Sequence, residues 1–144
     1  KIELVIQLSK FAKVYISSEG ELPISLEKHK IDISPEKIHD ALYFSSLYIG
    51  EGATMASESA VLGTPSIYAN KLKLGYINEQ KKVGLVFQTM SLEKILTISK
   101  KILTSPNSER YFRELKVNML SQKIDLTKYL CNTVLSQNKL NVVQ

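Results

Sequence analysis

In the stretch IGEGATMASESAVLGTP, residues 49–65, two glycines precede a helical run that carries one acid among small residues. A strand ending at Gly50 and a helix starting after Gly52 would leave the N–H groups of Ala53, Thr54 and Met55 without carbonyl partners. With a helix dipole behind them, such groups bind phosphate. Gly52 lets the backbone turn tightly and come close to a ligand, and the Thr54 hydroxyl adds a donor. Glu58 follows Thr54 by four residues and so projects from the same helical face. A carboxylate there repels phosphate, yet it accepts two hydrogen bonds from vicinal hydroxyls such as those of a ribose. The spacing therefore predicts a bound nucleoside diphosphate, with the diphosphate on Gly52, Ala53, Thr54 and Met55 and the ribose on Glu58. The same residues also fit a plain turn followed by a solvated acid. Gly50-x-Gly52 lacks the third glycine of a dinucleotide fingerprint and the lysine of a P-loop.

Other side chains could line the same cleft. His39, one turn into a helix over 35–46, can contact phosphate or move a proton near neutrality; it also fits an ordinary packing histidine. Ser17, Ser18 and Glu19 close a candidate strand and would reach the ligand edge of a parallel sheet, or simply lead into a loop. Asn78, Glu79 and Gln80 follow the third candidate strand and are placed to meet a sugar. Tyr43, Tyr48, Tyr68 and Tyr76 read as core or rim residues rather than a stacking platform.

The elements that must position these groups follow from pattern. KIELVIQLSKFA reads as an amphipathic helix and KVYIS as a strand. Residues 18–34 form a connection with an extended piece near Lys30–Ile33. Ser34-Pro35 starts a helix that should bury Ile38, Ala41, Leu42 and Phe44. LYIG, TPSIYAN and GLVFQ are three further strands. Between them lie the helix closed by Gly63 and a short helix over 77–83. Ser91 caps an amphipathic helix with Leu92, Ile95, Leu96, Ile98, Ile102 and Leu103 apolar. Two more helices cover 107–122 and 125–137, and the last seven residues should fray. Alternating strands and helices imply βαβ units with right-handed crossovers, hence a Rossmann-like α/β fold with a parallel sheet between helical layers.

Composition narrows the function classes. The 144 residues carry a net charge of +5 and are 44% hydrophobic, enough for one domain with a core of its own. The lysines are scattered, with no basic run interleaved with aromatics, so no nucleic-acid surface is expected. One cysteine and two histidines offer no zinc constellation, and with no Asp-x-Asp pair no metal or other cofactor is implied. No run has the length of a membrane span and no signal peptide is evident, which fits a cytoplasmic protein. The chain opens on Lys1 within a helical pattern, which predicts a piece of a larger protein.

The runs VYISSEGELP and SPEKIHDALYFSSLYIGEGATMASESAVLGTPSI resemble an uncharacterised glycosyltransferase-like family of bacteria and archaea. That family is similar to the carboxy-terminal domains of two-domain GT-B nucleotide-sugar enzymes. These include UDP-N-acetylglucosamine 2-epimerases and the N-acetylglucosaminyltransferase of peptidoglycan synthesis. The resemblance covers about residues 13–69. It implies a UDP-sugar ligand, with diphosphate at Gly52, Ala53 and Thr54 and ribose at Glu58. It further implies a nucleotide-sugar-binding domain over 1–124, with catalysis dependent on an amino-terminal domain outside this chain, so that the chain alone is not expected to be active. Residues 125–144 would form a helix and tail either crossing to that domain or packing on their own sheet. In the first case the stripe Leu126, Tyr129, Leu130, Val134 offers a surface for self-association, for instance as a homodimer. Two departures stand out. Ser57 replaces the second acid of the epimerases, and Ile77-Asn78 replaces a glutamine pair that touches the sugar in the peptidoglycan enzyme. The alternatives are a UDP-sugar 2-epimerase relative and a non-catalytic domain binding an anion or another protein.

Overall fold

The computed structural model describes residues 1–18 and 20–140, with side chains followed to Ser136. It is an α/β structure built on three short parallel strands, β1 (Tyr48–Gly50), β2 (Ser66–Tyr68) and β3 (Val86–Gln88), hydrogen-bonded in the order β1-β2-β3. Ser66 stands beside both Tyr48 and Val86, and Tyr68 beside both Gly50 and Gln88. Two helices make the crossovers, α3 (Ala53–Leu62) between β1 and β2 and α4 (Gly75–Val83) between β2 and β3. They pack against each other. Before the sheet lie α1 (Ile2–Leu8) and α2 (Ile38–Tyr43); after it come α5 (Leu92–Thr104), α6 (Ser108–Ser121) and α7 (Leu126–Leu140).

Side-chain size explains how α3 seats itself. Ala56 and Ala60 are fully buried, and their small side chains let the helix backbone approach the sheet. The hydroxyls on this face are each satisfied. Ser66 Oγ donates to the Ala56 carbonyl at 2.9 Å and Ser59 Oγ to the Thr64 carbonyl at 3.0 Å. Buried hydroxyls left without such partners would cost roughly 1–3 kcal/mol each. Tyr68, Ile77, Leu85, Val86, Ile102, Phe112 and Met119 complete this core. All three residues of β2 are buried. Because successive side chains alternate across a strand, the sheet is covered on both faces at its centre.

Four expectations need correction. KVYIS does not join the sheet: Ile16 makes only an isolated parallel bridge to Lys30. Its backbone groups are taken by the neighbouring loop, with Ile16 N–H donating to His29 and Ile31 N–H donating back to Ile16. Within that loop Ile24–His29 coils into a 3-10 helix. Phe44 is 81% exposed, because α2 ends at Tyr43 and Phe44 falls outside its inward face. Leu42 is buried there, while Ile38 and Ala41 are half-buried. Ser34 precedes a 3-10 turn at Pro35–Lys37 without a capping hydrogen bond from its side chain. Leu92, at the start of α5, is exposed, though Ser91 does cap that helix by accepting from Lys94 N–H.

The stripe on α7 is uncovered: Leu126, Tyr129, Leu130 and Val134 are each more than half exposed. Among the described residues no helix is long and apolar enough to cross a membrane. Glu19 and the final four residues, where much of the expected fraying would fall, lie outside the described residues.

Candidate functional site

In a parallel sheet all strands end at one edge, and α3, α4 and α5 all start from it. Their starts differ. The first turn of α5 is closed by Ser91, whereas α3 begins at Gly52 with no side-chain cap. The first return bond of α3 runs from Ala56 N–H to the Gly52 carbonyl at 3.2 Å. The N–H groups of Gly52, Ala53, Thr54 and Met55 precede that bond and have no helical acceptor. Thr54 is exposed, and Ala53 and Met55 are half-buried.

Gly52 does not play the part that the sequence suggests for it. Its φ of −83° and ψ of 120° are ordinary extended values open to any residue. Nothing lies within 4 Å of where its Cβ would stand. What glycine leaves here is open space above the helix start. The crowded glycine is Gly50, where a Cβ would overlap the Tyr48 hydroxyl and the ring carbon that bears it. Tyr48 and Gly50 share one face of β1, and the phenol lies along the strand over Gly50.

The turn after β1 is held from the side. Ala69 N–H donates to the Gly50 carbonyl at 2.8 Å, and Asn70 Nδ2 to the Glu51 carbonyl at 3.2 Å. Asn70 Oδ1 accepts from Leu72 N–H at 3.0 Å. Gln88 Nε2 donates to the Asn70 and Leu72 carbonyls at 2.8 and 2.9 Å, and Lys81 Nζ to Gln88 Oε1 at 2.9 Å. A trans peptide places C=O and N–H on opposite sides. With its carbonyl turned to Asn70, the Glu51–Gly52 peptide directs the Gly52 N–H away from that loop.

Glu58 lies one turn beyond Thr54. Its Oε2 is 3.4 Å from His39 Nε2, with the two side chains 38% and 59% exposed. Such a pair is a weak tether rather than a source of stability. The packing of α2 on α3 brings His39 there. Burial, and then the Glu58 charge, raise the Tyr48 hydroxyl above its ordinary range. Glu58 is thus flanked by His39 from α2 and sensed by Tyr48 from β1.

The remaining candidates separate. Asn78 sits half-buried in the first turn of α4, at the same sheet edge. Glu79 is exposed and paired with Lys82 at 2.8 Å. Gln80 is buried and cannot meet a sugar: its Nε2 donates to Ser57 Oγ at 2.8 Å and to the Ser57 carbonyl at 3.3 Å. Ser17 and Ser18 lie off the sheet, and Ser18 Oγ closes a local turn onto Gly20. Sequence reading placed Tyr48 among core or rim residues, and the structure adds that its ring lies over Gly50. The signal was its spacing of two from a glycine in a strand, which allows an aromatic ring to lie flat along the backbone. Two hollows lie elsewhere, one along α6 at Asn107, Arg110 and Arg113 and one between α1 and α5 at Phe11 and Leu96. Arg113 borders Gly63, at the other end of α3 from Gly52. The region around Gly52 is an open shelf.

Comparison of the chain with protein-family models, with curated proteins and with solved structures found no match.

Proposed function

We propose that this chain is the nucleotide-sugar-binding part of a glycosyltransferase-like protein of GT-B type, with a UDP-sugar as ligand. The observation that carries this reading is the uncapped start of α3 with Glu58 one turn along the same face. Diphosphate would accept hydrogen bonds from the N–H groups of Gly52, Ala53, Thr54 and Met55, and the ribose hydroxyls would donate to Glu58. During transfer the same N–H groups would stabilise the charge growing on the departing diphosphate. Ser57, where epimerases carry a second acid, has its hydroxyl engaged by Gln80, which favours transfer over epimerisation. Asn78 is the one side chain of α4 offered to the sugar. The bare stripe on α7 is what a helix packing on a further domain would present, and catalytic groups are expected on that domain.

Titration of the purified chain with UDP, UMP and uridine by calorimetry tests the reading. UDP should bind more tightly than uridine. Glu58→Ala should weaken UDP by about tenfold or more, the equivalent of roughly 1.5–3 kcal/mol for hydrogen bonds to a charged group. Glu93→Ala, in the first turn of α5, should leave binding unchanged. A well-folded sample that binds none of the three would sink the proposal.

A further inference from the structure

We propose that the connections leaving β2 and β3 form a docking surface for an anionic lipid bilayer, with Leu72, Tyr76, Met90 and Leu92 entering the interface and Lys71 and Lys73 meeting the lipid phosphates. The proposal uses none of the residues at the start of α3 and stands without the nucleotide reading.

In a parallel sheet the connections after β2 and β3 emerge at the same edge. Here they carry the runs ANKLKLGY, residues 69–76, and TMSL, residues 89–92. Leu72, Tyr76, Met90 and Leu92 are all exposed, as are Lys71 and Lys73. At the opposite edge the turns into β2 and β3 keep Thr64, Pro65 and Leu85 buried, so the exposure belongs to one edge. Single exposed leucines are ordinary; four large apolar side chains on two adjoining connections make a patch. Gln88 ties the two connections together, its Nε2 donating to the Asn70 and Leu72 carbonyls at 2.8 and 2.9 Å. Asn70 Oδ1 in turn accepts from Leu72 N–H at 3.0 Å. Both backbone groups of Leu72 are thus satisfied inside the protein, and its side chain can enter hydrocarbon without carrying unpaired polar groups with it.

Charge decides what the patch fits. Neither run contains an acid. Lys71 and Lys73 flank Leu72, and Lys81 stands behind the loop with Nζ on Gln88 Oε1 at 2.9 Å. The acids bordering this edge are Glu51, 3.4 Å from Lys1, and Glu93 in the first turn of α5. Aliphatic side chains rimmed by lysine complement acyl chains beneath anionic headgroups, and each lysine close to such a surface strengthens binding about fivefold. Residue type favours lipid over a protein partner. Protein interfaces concentrate aromatics and arginine and deplete lysine, whereas this patch pairs lysine with aliphatic chains and holds no arginine. Its one aromatic, Tyr76, suits the headgroup level, where an apolar ring and a polar tip are both accommodated.

Cosedimentation of the purified chain with vesicles of equal parts phosphatidylglycerol and phosphatidylcholine, against phosphatidylcholine alone, tests the proposal. The chain should bind the anionic vesicles at least about tenfold more tightly and leave them in high salt. Lys71→Glu with Lys73→Glu should weaken that binding by about tenfold or more. Lys100→Glu with Lys101→Glu makes the same change in net charge toward the far end of α5 and should weaken it less than about twofold, since screening confines the attraction to lysines near the surface. Leu72→Ser should weaken it several-fold at constant charge. All five side chains are exposed, so the circular dichroism of each variant should match wild type. Equal losses from the two lysine pairs would mean attraction by net charge alone, and an unaffected Leu72→Ser would mean that nothing inserts; either result overturns the docking surface, as does a wild type that ignores anionic vesicles. A dimer in gel filtration that Leu72→Ser dissolves would overturn it too, by showing that a second copy covers the patch.

Discussion

The two ends of α3 are built on opposite plans. At its C-terminal end Gly63 adopts a left-handed φ of 91°, and its N–H returns to the Ala60 carbonyl. Beyond it Thr64 is buried, with Oγ1 donating to the Leu42 carbonyl at 2.8 Å, and α6 closes over the glycine through Lys116 and Arg113. At its N-terminal end the backbone is ordinary, the cap is missing, and the space above Gly52 is empty. One end returns its N–H groups and the Thr64 hydroxyl to protein carbonyls, while the other leaves N–H donors without a helical acceptor. A glycine by itself does not distinguish the two plans; its φ and its surroundings do.

The contrast can be broken most forcefully at the closed end. Gly63→Val places a branched side chain at positive φ against the Lys116 stem, 3.1 Å from the new Cβ. It should destabilise the chain by about 2 kcal/mol, measured by denaturant unfolding, with UDP affinity unchanged in the folded fraction. A loss of affinity at that end would contradict the division of labour. A smaller effect is expected at the open end. Gly52→Ser supplies the missing cap and should raise stability by a few tenths of a kcal/mol, yet its Oγ takes up an N–H that phosphate would use. Stability should rise while UDP binding weakens several-fold; tighter binding would mean that the N–H groups are not the phosphate site. The smallest effect concerns pH. Folding favours the neutral form of Tyr48, whose hydroxyl is raised by burial and by Glu58. The folded state therefore holds its proton when an unfolded tyrosine releases it, and stability falls as pH rises through the ordinary tyrosine range near about 10. Tyr48→Phe should show a shallower fall in melting temperature between about pH 9 and 11. Parallel curves would mean that neither burial nor the Glu58 charge raises the Tyr48 hydroxyl.

Much of the fold was legible in residue order. The three strands LYIG, TPSIYAN and GLVFQ, the Gly63 cap and the Ser91 cap all follow from local rules, because each depends on groups within one turn or one strand. KVYIS was misleading since β-branched and aromatic residues fit any extended partner, and the loop carrying His29 and Ile31 was nearer than the sheet edge. Of the candidate site, the Thr54–Glu58 face was legible from helical spacing. The Asn70–Gln88 bracing and the burial of Gln80 were not, since each joins residues from different elements.

Local chemistry in the chain dictates a helix after Gly52, a left-handed stop at Gly63 and an acid one turn beyond Thr54, because backbone hydrogen bonding and helical period act over a few residues. Which way the Glu51 peptide turns and which side chain flanks Glu58 were decided only when α2, β1 and the loop after β2 came together. Those contacts are set by packing between segments up to about twenty residues apart, over which no local periodicity extends.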